Sequence, residues 1–551
     1  MTELAPRLLR VGSTLALVLA GACARPVAVP GDFVPEGRRF AVTTENATAT
    51  RFARDVLANE GGNAVDAAVC ATLALGLAAP ISSGLGGGGF ALVWDPTTQK
   101  ASVLDFRERA PSALDPTVFD RSPVPPGASV GAPGEAQGLE ELARRFGTKP
   151  LAFCATKAAR LAEEGVPLSP HMARGLERFG ALVEGVPALQ RLLPLRAGDR
   201  MTNAPLARTL RALAAQGSKA LTGGPIAERI VQSVRAAGGS LTLEDLAANP
   251  PVWREPLVVS IGDERLHTMP APSGGGLMTA ELLLALEKDP LLARLDSAEA
   301  AHVLAELLRG AFADRFAHVG DPELTRPDFA PLLAAERLRA RRASIDPERT
   351  RPTQAFVAEE HGTTHLVVVD GAGMIVSLTT TVNQPFGARL VTDDGLLLND
   401  ELFDFVPTKR LGALGQKASP GAARPRARPP SSMTPTLVTR GGVPVVALGG
   451  SGGFRIATGV ALATLATAWG GQTVREFVSK PRLHVWPDGS VALEPGAPRA
   501  LEDELTRRGE KVTREQNLSG IQGVDFVPVP GGGLRLLPAA DPRKFGLAIA
   551  E

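Results

Sequence analysis

Tyrosine is absent from the 551 residues, and aromatic residues make up only 4% of them. The first absence removes phenol acid/base chemistry, and the scarcity of rings removes most platforms on which nucleic-acid bases stack. An excess of one charge sign is missing too, since 59 Lys+Arg against 58 Asp+Glu leave a net charge of +1. No long-range field draws in phosphate backbones or anionic lipid, so nucleic acid is not an expected partner. Cys23, Cys70 and Cys154 allow one bridge at most, too few for a disulfide scaffold in a chain this long. The seven histidines show no ligand spacing, and neither Cys-x-x-Cys nor His-Glu-x-x-His occurs, so neither a metal nor a cofactor is expected. Long apolar runs are lacking as well. The longest, Val65 to Ala79, is interrupted by Asp66 and ends at Pro80, which suits a core helix and not a membrane span.

What is present, 44% hydrophobic and 21% charged residues, is enough to bury a large core and reads as an enzyme-sized globular protein. The N-terminus carries an export address: Arg7 and Arg10, the apolar run Leu15 to Ala20, then the small residues Gly21, Ala22 and Cys23. Residues 1–24 are therefore expected to be a leader. Its cleavage fits an Ala-x-Ala site (Ala20, Ala22) or a lipoprotein signal ahead of Cys23, and the two readings stand side by side. Both place the protein in the periplasm or outside the cell, with a lipid on Cys23 as the sole membrane link.

From about Arg38 onward helices and strands mix. A helix from Ala49 to Asn59 stops at Gly61-Gly62, and a second starts after Asn63. Strands Phe90 to Trp94 and Ala101 to Phe106 form a hairpin behind a glycine loop, while 135–250 and 295–345 are mainly helical. Residues 407–430, rich in Lys, Arg, Gly and Pro, read as a mobile surface loop. A further hairpin decides the argument: Thr363 to Val369, a turn at Asp370 to Gly373, and Met374 to Val382. It sets position 363 opposite position 380, within one residue of register, so that Thr379-Thr380-Thr381 lie beside Thr363. A buried strand Gly395 to Leu398 then leads into the polar groups of Asn399, Asp400, Glu401 and Asp404.

Gly84-Leu85-Gly86-Gly87-Gly88-Gly89 satisfies Gly-x-Gly-x-x-Gly, yet its order is helix, loop, strand, which is wrong for a dinucleotide site and right for close backbone packing. Gly449-Gly450-Ser451-Gly452-Gly453 has the strand, glycine, helix order but lacks the Walker lysine. Its physics suits an oxyanion hole as well as it suits a phosphate.

At these segments the sequence resembles the γ-glutamyltransferase (γ-glutamyltranspeptidase, glutathione hydrolase) family of N-terminal-nucleophile hydrolases. The resemblance is carried, in order over about residues 38–545, by Gly61 to Ala68, Ser82 to Phe90, Asp105 to Glu108, Ala313-Asp314-Arg315, Thr363-Thr364-His365, Thr381-Val382-Asn383, Asn399 to Phe405, Pro430 to Met433 and Gly452-Gly453. It implies an α+β fold, the four-layer αββα sandwich. It also implies a precursor that cuts itself at Gly362–Thr363 into a large subunit (25–362) and a small catalytic subunit (363–551), which stay associated as one domain. The freed α-amine of Thr363, with a pKa of about 8, then serves as base to its own hydroxyl. On this resemblance Thr381 tunes the nucleophile and the N–H groups of Gly452 and Gly453 hold the oxyanion. Arg107, Ser431 and Ser432 take the substrate α-carboxylate, Asn383, Glu401 and Asp404 take its α-ammonium, and His365 is structural.

The implied activity is γ-glutamyl transfer from glutathione-like amides through a Thr363 acyl-enzyme, resolved by water or by an amino-acid or peptide acceptor. Two alternatives stay open: a cephalosporin (glutaryl) acylase on the same scaffold, and an inactive surface protein that binds γ-glutamyl peptides. Two departures stand out. Phe403 occupies a position where many members carry another acid, and the 407–430 loop has no aromatic residue with which to close a lid.

Overall fold

The computed structural model describes residues 37–351, 362–406 and 419–551. The leader with Cys23 and residues 407–418 of the expected loop lie outside the described residues.

The early helices form where their caps dictate. Asn46 accepts from Thr48 N to start the helix Ala47–Asn59. Asn63 and Asp66 form a reciprocal capping box that starts the almost wholly buried helix Ala64–Ala78. Asp66, the charge that interrupts the longest apolar run, also accepts from the backbone N–H groups of Thr148 and Lys149, so it is a buried junction. Cys70 and Cys154 form the single bridge the composition allows and join this helix to the helix Leu151–Glu164.

Among the described residues two large antiparallel sheets dominate. The seven-stranded sheet runs β18 (Leu547–Ala550), β1 (Ala41–Thr44), β9 (Gly362–Val369), β10 (Ile375–Asn383), β2 (Gly88–Asp95), β3 (Lys100–Phe106), β6 (Val252–Arg254). The six-stranded sheet runs β17 (Leu534–Ala540), β16 (Gly520–Pro528), β12 (Val443–Ser451), β11 (Thr436–Arg440), β8 (Glu264–Thr268), β7 (Leu257–Ile261). Smaller sheets are built from β13 (Leu483–Val485), β14 (Val491–Leu493) and β15 (Val512–Arg514), and from β4 (Val166–Pro167) and β5 (Arg200–Met201).

Alternation along the strands explains the layers. Val367, Val369 and Ile375 point to the core shared with Leu437, Val446 and Leu448 of the second sheet. Leu366, Val368, Val376 and Leu378 point the other way, into a core shared with the helices Ala47–Asn59, Ala64–Ala78 and Leu151–Glu164. Period-two burial on both faces is what a sheet buried between two partners requires. Helices Gly275–Ala285, Ala298–His318 and Arg455–Thr464 cover the outer side of the second sheet. The result is the αββα sandwich.

Each large sheet contains strands from both sides of residue 362. β1 lies between β18 and β9, and the Glu551 carbonyl accepts from Arg38 N (2.9 Å) and Phe40 N (3.1 Å), setting the two stretches side by side. The β9–β10 register pairs Thr363 with Thr381 and Thr364 with Thr380, one residue along from the central expectation and inside its tolerance.

Two expectations need correction. Gly395 to Leu398 is not a strand: Leu397 and Leu398 make only isolated bridges to Val391 and Gly86, because this segment is a connector between layers and not a member of a sheet. The 407–430 stretch is not surface loop throughout, since Ala427 to Pro430 are buried and Arg428 is fully so. Its guanidinium donates to Asn249 Oδ1 and to the Pro250 carbonyl, contacts that composition does not announce.

Candidate active site

Strand pairing sets the position of Thr363. Thr363 is the second residue of β9, and its Oγ1 lies 3.4 Å from Thr381 Oγ1 on β10. Thr381 Oγ1 donates to the Gly362 carbonyl (2.7 Å) and accepts from Asn383 N (2.8 Å). A hydroxyl has one proton, and a carbonyl only accepts, so the proton of Thr381 is committed to Gly362. The hydroxyl proton of Thr363 therefore points at Thr381 and its lone pairs point elsewhere. The β9–β10 ladder shifts register between Thr381 and Asn383, and Asn383 has φ +75°, a bulge that turns its side chain toward the Asp400 carbonyl (3.1 Å).

Two glycine segments close round this point. A Cβ on Gly87 would stand 1.9 Å from the Thr381 carbonyl, so the loop after helix Ala64–Ala78 must be glycine for β10 to pack there. Gly452 and Gly453 have φ +121° and +62° and lead from β12 into the helix Arg455–Thr464. Gly453 of this turn lines the same cavity as Thr363.

Arg107 follows directly on β3 and is 1% exposed. Its guanidinium donates to the carbonyls of Pro429 (3.2 Å) and Pro430 (2.9 Å), to Asp404 Oδ2 (2.6 Å) and to Glu401 Oε1. Burial opposes its charge, but Glu401, Asp404 and Glu108 outweigh it and raise its pKa. Burial drives the Glu401 carboxyl well above the usual range against the pull of Arg107. Burial likewise pushes Glu108 up to about 8. Glu401 and Asp404 sit on a short 3-10 turn, Glu401–Asp404, held by Asn399, which accepts from Glu401 N and Gly131 N and donates to the Gly86 and Gly131 carbonyls.

Of the ten residues singled out from the sequence, nine line one cavity: Thr363, Thr381, Asn383, Arg107, Glu401, Asp404, Ser431, Ser432 and Gly453. Gly452 faces an adjoining cavity. The free space of about 20 Å³ holds a water or two. His365 is apart from it, lodged between the sheets against Gly449 and bonded to Thr379 Oγ1 (2.8 Å), with burial pushing its pKa down to about 3.

Arg315 was given no role by sequence reasoning and is a second guanidinium in the cavity. It comes from the last turn of helix Ala298–His318, donates to Ser432 Oγ (3.1 Å) and lies 4.8 Å from the Phe454 ring centre. Burial lowers its pKa to about 10. The signal that points to it is an arginine amid the apolar residues of a buried helix.

This geometry has known counterparts. A family model described as Gamma-glutamyltranspeptidase matches residues 49–550. The chain is 31% identical over 533 residues to the glutathione hydrolase proenzyme of Bacillus subtilis subsp. natto, covering 90% of this chain and 89% of that one. It is 31% identical over 570 residues to the glutathione hydrolase proenzyme of Escherichia coli K12, covering 96% and 97%. The fold superimposes on a cephalosporin acylase from Bacillus halodurans with a TM-score of 0.84 at 25% identity, over 97% of this chain and 99% of that one. A match spanning nearly every layer of the sandwich leaves one assignment: the chain belongs to the γ-glutamyltranspeptidase family and is an enzyme with the N-terminal-nucleophile hydrolase fold.

Proposed function

We propose that this chain is a self-cleaving γ-glutamyltransferase and glutathione hydrolase with Thr363 as nucleophile. The observation that carries the reading is the hydroxyl of Thr381 bonded to the Gly362 carbonyl, with the Thr363 hydroxyl alongside. That bond polarises the carbonyl that the Thr363 oxygen attacks. The C–N bond breaks, the nitrogen of Thr363 takes a proton, and an ester links Gly362 to the Thr363 oxygen. Water then hydrolyses the ester and leaves residue 363 with a free amine. The products are a large subunit ending at 362 and a small subunit starting at 363, which stay together as one sandwich.

In turnover the α-amine of Thr363 accepts the proton of its own hydroxyl as the oxygen attacks the γ-carbonyl of the donor. Backbone N–H groups of Gly452 and Gly453 stabilise the oxyanion, a contribution of about 3 kcal/mol per donor. The amine of the donor leaves with that proton, and water or an acceptor amine resolves the acyl-enzyme. Arg107, Ser431 and Ser432 bind the α-carboxylate, while Asn383, Glu401 and Asp404 bind the α-ammonium. In the empty site Arg107 is paired with Glu401 and Asp404, so an incoming zwitterion replaces those contacts with its own carboxylate on Arg107 and its ammonium on the two acids.

Export suits the same reading, because the Cys70–Cys154 bridge belongs in an oxidising compartment and the N-terminal address leads there, with Cys23 available as a lipid anchor. Intact mass of the purified protein, with γ-glutamyl anilide turnover measured with and without glycylglycine, tests the assignment. A wild type that stays one chain and turns over nothing defeats it.

The likeness to a cephalosporin acylase supports a second reading, cleavage of glutaryl amides. Glutaryl lacks the α-ammonium, so Glu401 and Asp404 would keep a charge that the ligand does not answer. Faster cleavage of glutaryl than of γ-glutamyl amides would reverse the ranking.

A further inference from the structure

Arg315 stands in the wall of the nucleophile cavity without an acid to pair with. It is 5% exposed, and among the described residues no carboxylate comes within ion-pairing reach of its guanidinium. Asp404, the acid that acts on it through space, is bonded to Arg107 instead. Two rings flank it where a counter-ion is usual, with centres 5.0 Å (Phe316) and 4.8 Å (Phe454) from the guanidinium carbon. Its Nε is buried and bonds to no described residue. The side chain fits only because residue 274 is glycine, since a Cβ there would stand 2.5 Å from Arg315 Cγ. A buried cation with no acid is costly, so its place in the wall calls for an anion that arrives from outside.

The hydrogen bond that Arg315 does make shows where that anion sits. It donates to Ser432 Oγ at 3.1 Å. Arginine has no acceptor, so Ser432 accepts, and the single hydroxyl proton of Ser432 is left to point elsewhere. No described residue takes it. Ser431 is set the same way by another donor: its Oγ accepts from Met433 N at 3.1 Å, and its proton too has no described acceptor. Both serines line the cavity together with Arg107 and Thr363. Neighbouring hydroxyls whose oxygens are held by donors and whose protons are unclaimed are a pair of donors for one anionic group.

We propose that Arg315 is a positioning residue that acts through Ser432, fixing that hydroxyl as a hydrogen-bond donor to the substrate α-carboxylate and so setting the preference for substrates that carry one. The proposal rests on the γ-glutamyl reading above and divides the carboxylate site between a direct clamp, Arg107, and a buried support behind Ser432. The two arginines differ in what holds them. Arg107 is tied to Glu401, Asp404 and two carbonyls and exchanges bonds when a zwitterion enters. Arg315 has no acid to release, and the low-dielectric surroundings strengthen its pull on the Ser432 oxygen. Burial lowers its pKa only to about 10, so it stays a cation at neutral pH.

The test compares kcat/KM of the processed enzyme for γ-glutamyl anilide and for its α-carboxamide, which differ in the negative charge at the α-carbon. Arg315→Gln should cut the preference for the carboxylate form about tenfold, the value of one charge-assisted hydrogen bond, through KM and with kcat within about twofold of wild type. Arg315→Met, which fills the slot between the rings without a polar atom, should show the same loss, and Arg315→Lys, which keeps a charged donor, should retain most of the preference. Arg315→Gln/Ser432→Ala should cost less than the product of the two single losses, because the pair works as a unit. A wild-type ratio near one, a preference preserved in both the Gln and Met variants, equal losses on the two substrates, or losses that multiply in the double variant each overturn the proposal. Failure of both the Gln and Met variants to yield processed protein makes Arg315 a part of the fold and overturns it too. Wild type that does not hydrolyse γ-glutamyl anilide at all overturns the γ-glutamyl reading itself.

Discussion

Thr381 Oγ1 holds the carbonyl oxygen of Gly362 at 2.7 Å, so a side chain on one strand grips the backbone at the start of its neighbour. Under the self-cleavage proposed above, this is where an oxyanion-hole donor would act during attack by the next residue.

Thr381→Val should therefore slow chain cleavage by about 10² to 10³-fold, the usual cost of deleting one such donor, whereas Thr381→Ser should cleave at close to the wild-type rate. Time-resolved intact mass of freshly purified protein reads the rate. Equal cleavage rates for the Val and wild-type proteins would remove Thr381 from the mechanism.

Thr363→Ala should remain a single chain and show no γ-glutamyl anilide turnover. Thr363→Ser keeps a hydroxyl and should still yield a fragment whose first residue is 363. Edman sequencing of the smaller fragment checks the cut site, and any other start refutes it.

Arg107→Ala strands Glu401 and Asp404 without their cation in a buried place, so it should cost about 3–5 kcal/mol of stability as well as activity. Arg107→Lys restores a charge but not the fork that spans both acids and two carbonyls. Its KM for the donor should rise by at least about tenfold while the fold survives, as denaturant melts and steady-state kinetics together will show.

Glu135 is fully buried and accepts from Thr380 Oγ1, and burial pushes its carboxyl up to about 8 from an ordinary 4.5. Between those two values the native state keeps a proton that the unfolded chain has lost. Its contribution to stability therefore falls as pH rises through that window, by up to about 1.4 kcal/mol per pH unit, and levels off above it. Glu135→Gln should flatten this part of the profile. Chemical denaturation of both proteins across the window measures the difference, and identical slopes would contradict the assignment.

Much of this site is legible in the sequence because its placement follows short-range rules. The turn at Asp370 to Gly373 sets the pairing of β9 and β10, and with it brings Thr363 to Thr381. Asp105-Phe106-Arg107 continues a strand, so its exit point is known once the hairpin is. Close packing foretold for the glycine loop appears as Gly87 against the Thr381 carbonyl. Other features depend on contacts between distant segments and leave no local trace. Arg428 looks like one more basic loop residue, yet its neighbours Pro429 and Pro430 supply two acceptors to Arg107. The cavity that Gly452 faces joins residues 171–178 to 455 and 543–544, a meeting that only the folded topology produces. Gly395 to Leu398 has the composition of a strand but makes only isolated bridges, to Val391 and Gly86.

The pairing of β1 with β18 and the bonds from Arg38 and Phe40 to Glu551 make a circular permutation feasible. A reordered gene that opens at codon 363, runs to 551, and returns through a short flexible tether to 37 and on to 362 would deliver the N-terminal threonine by translation once the initiator methionine is trimmed. Such a protein needs no internal scission, which separates the chemistry of maturation from that of turnover in a single molecule.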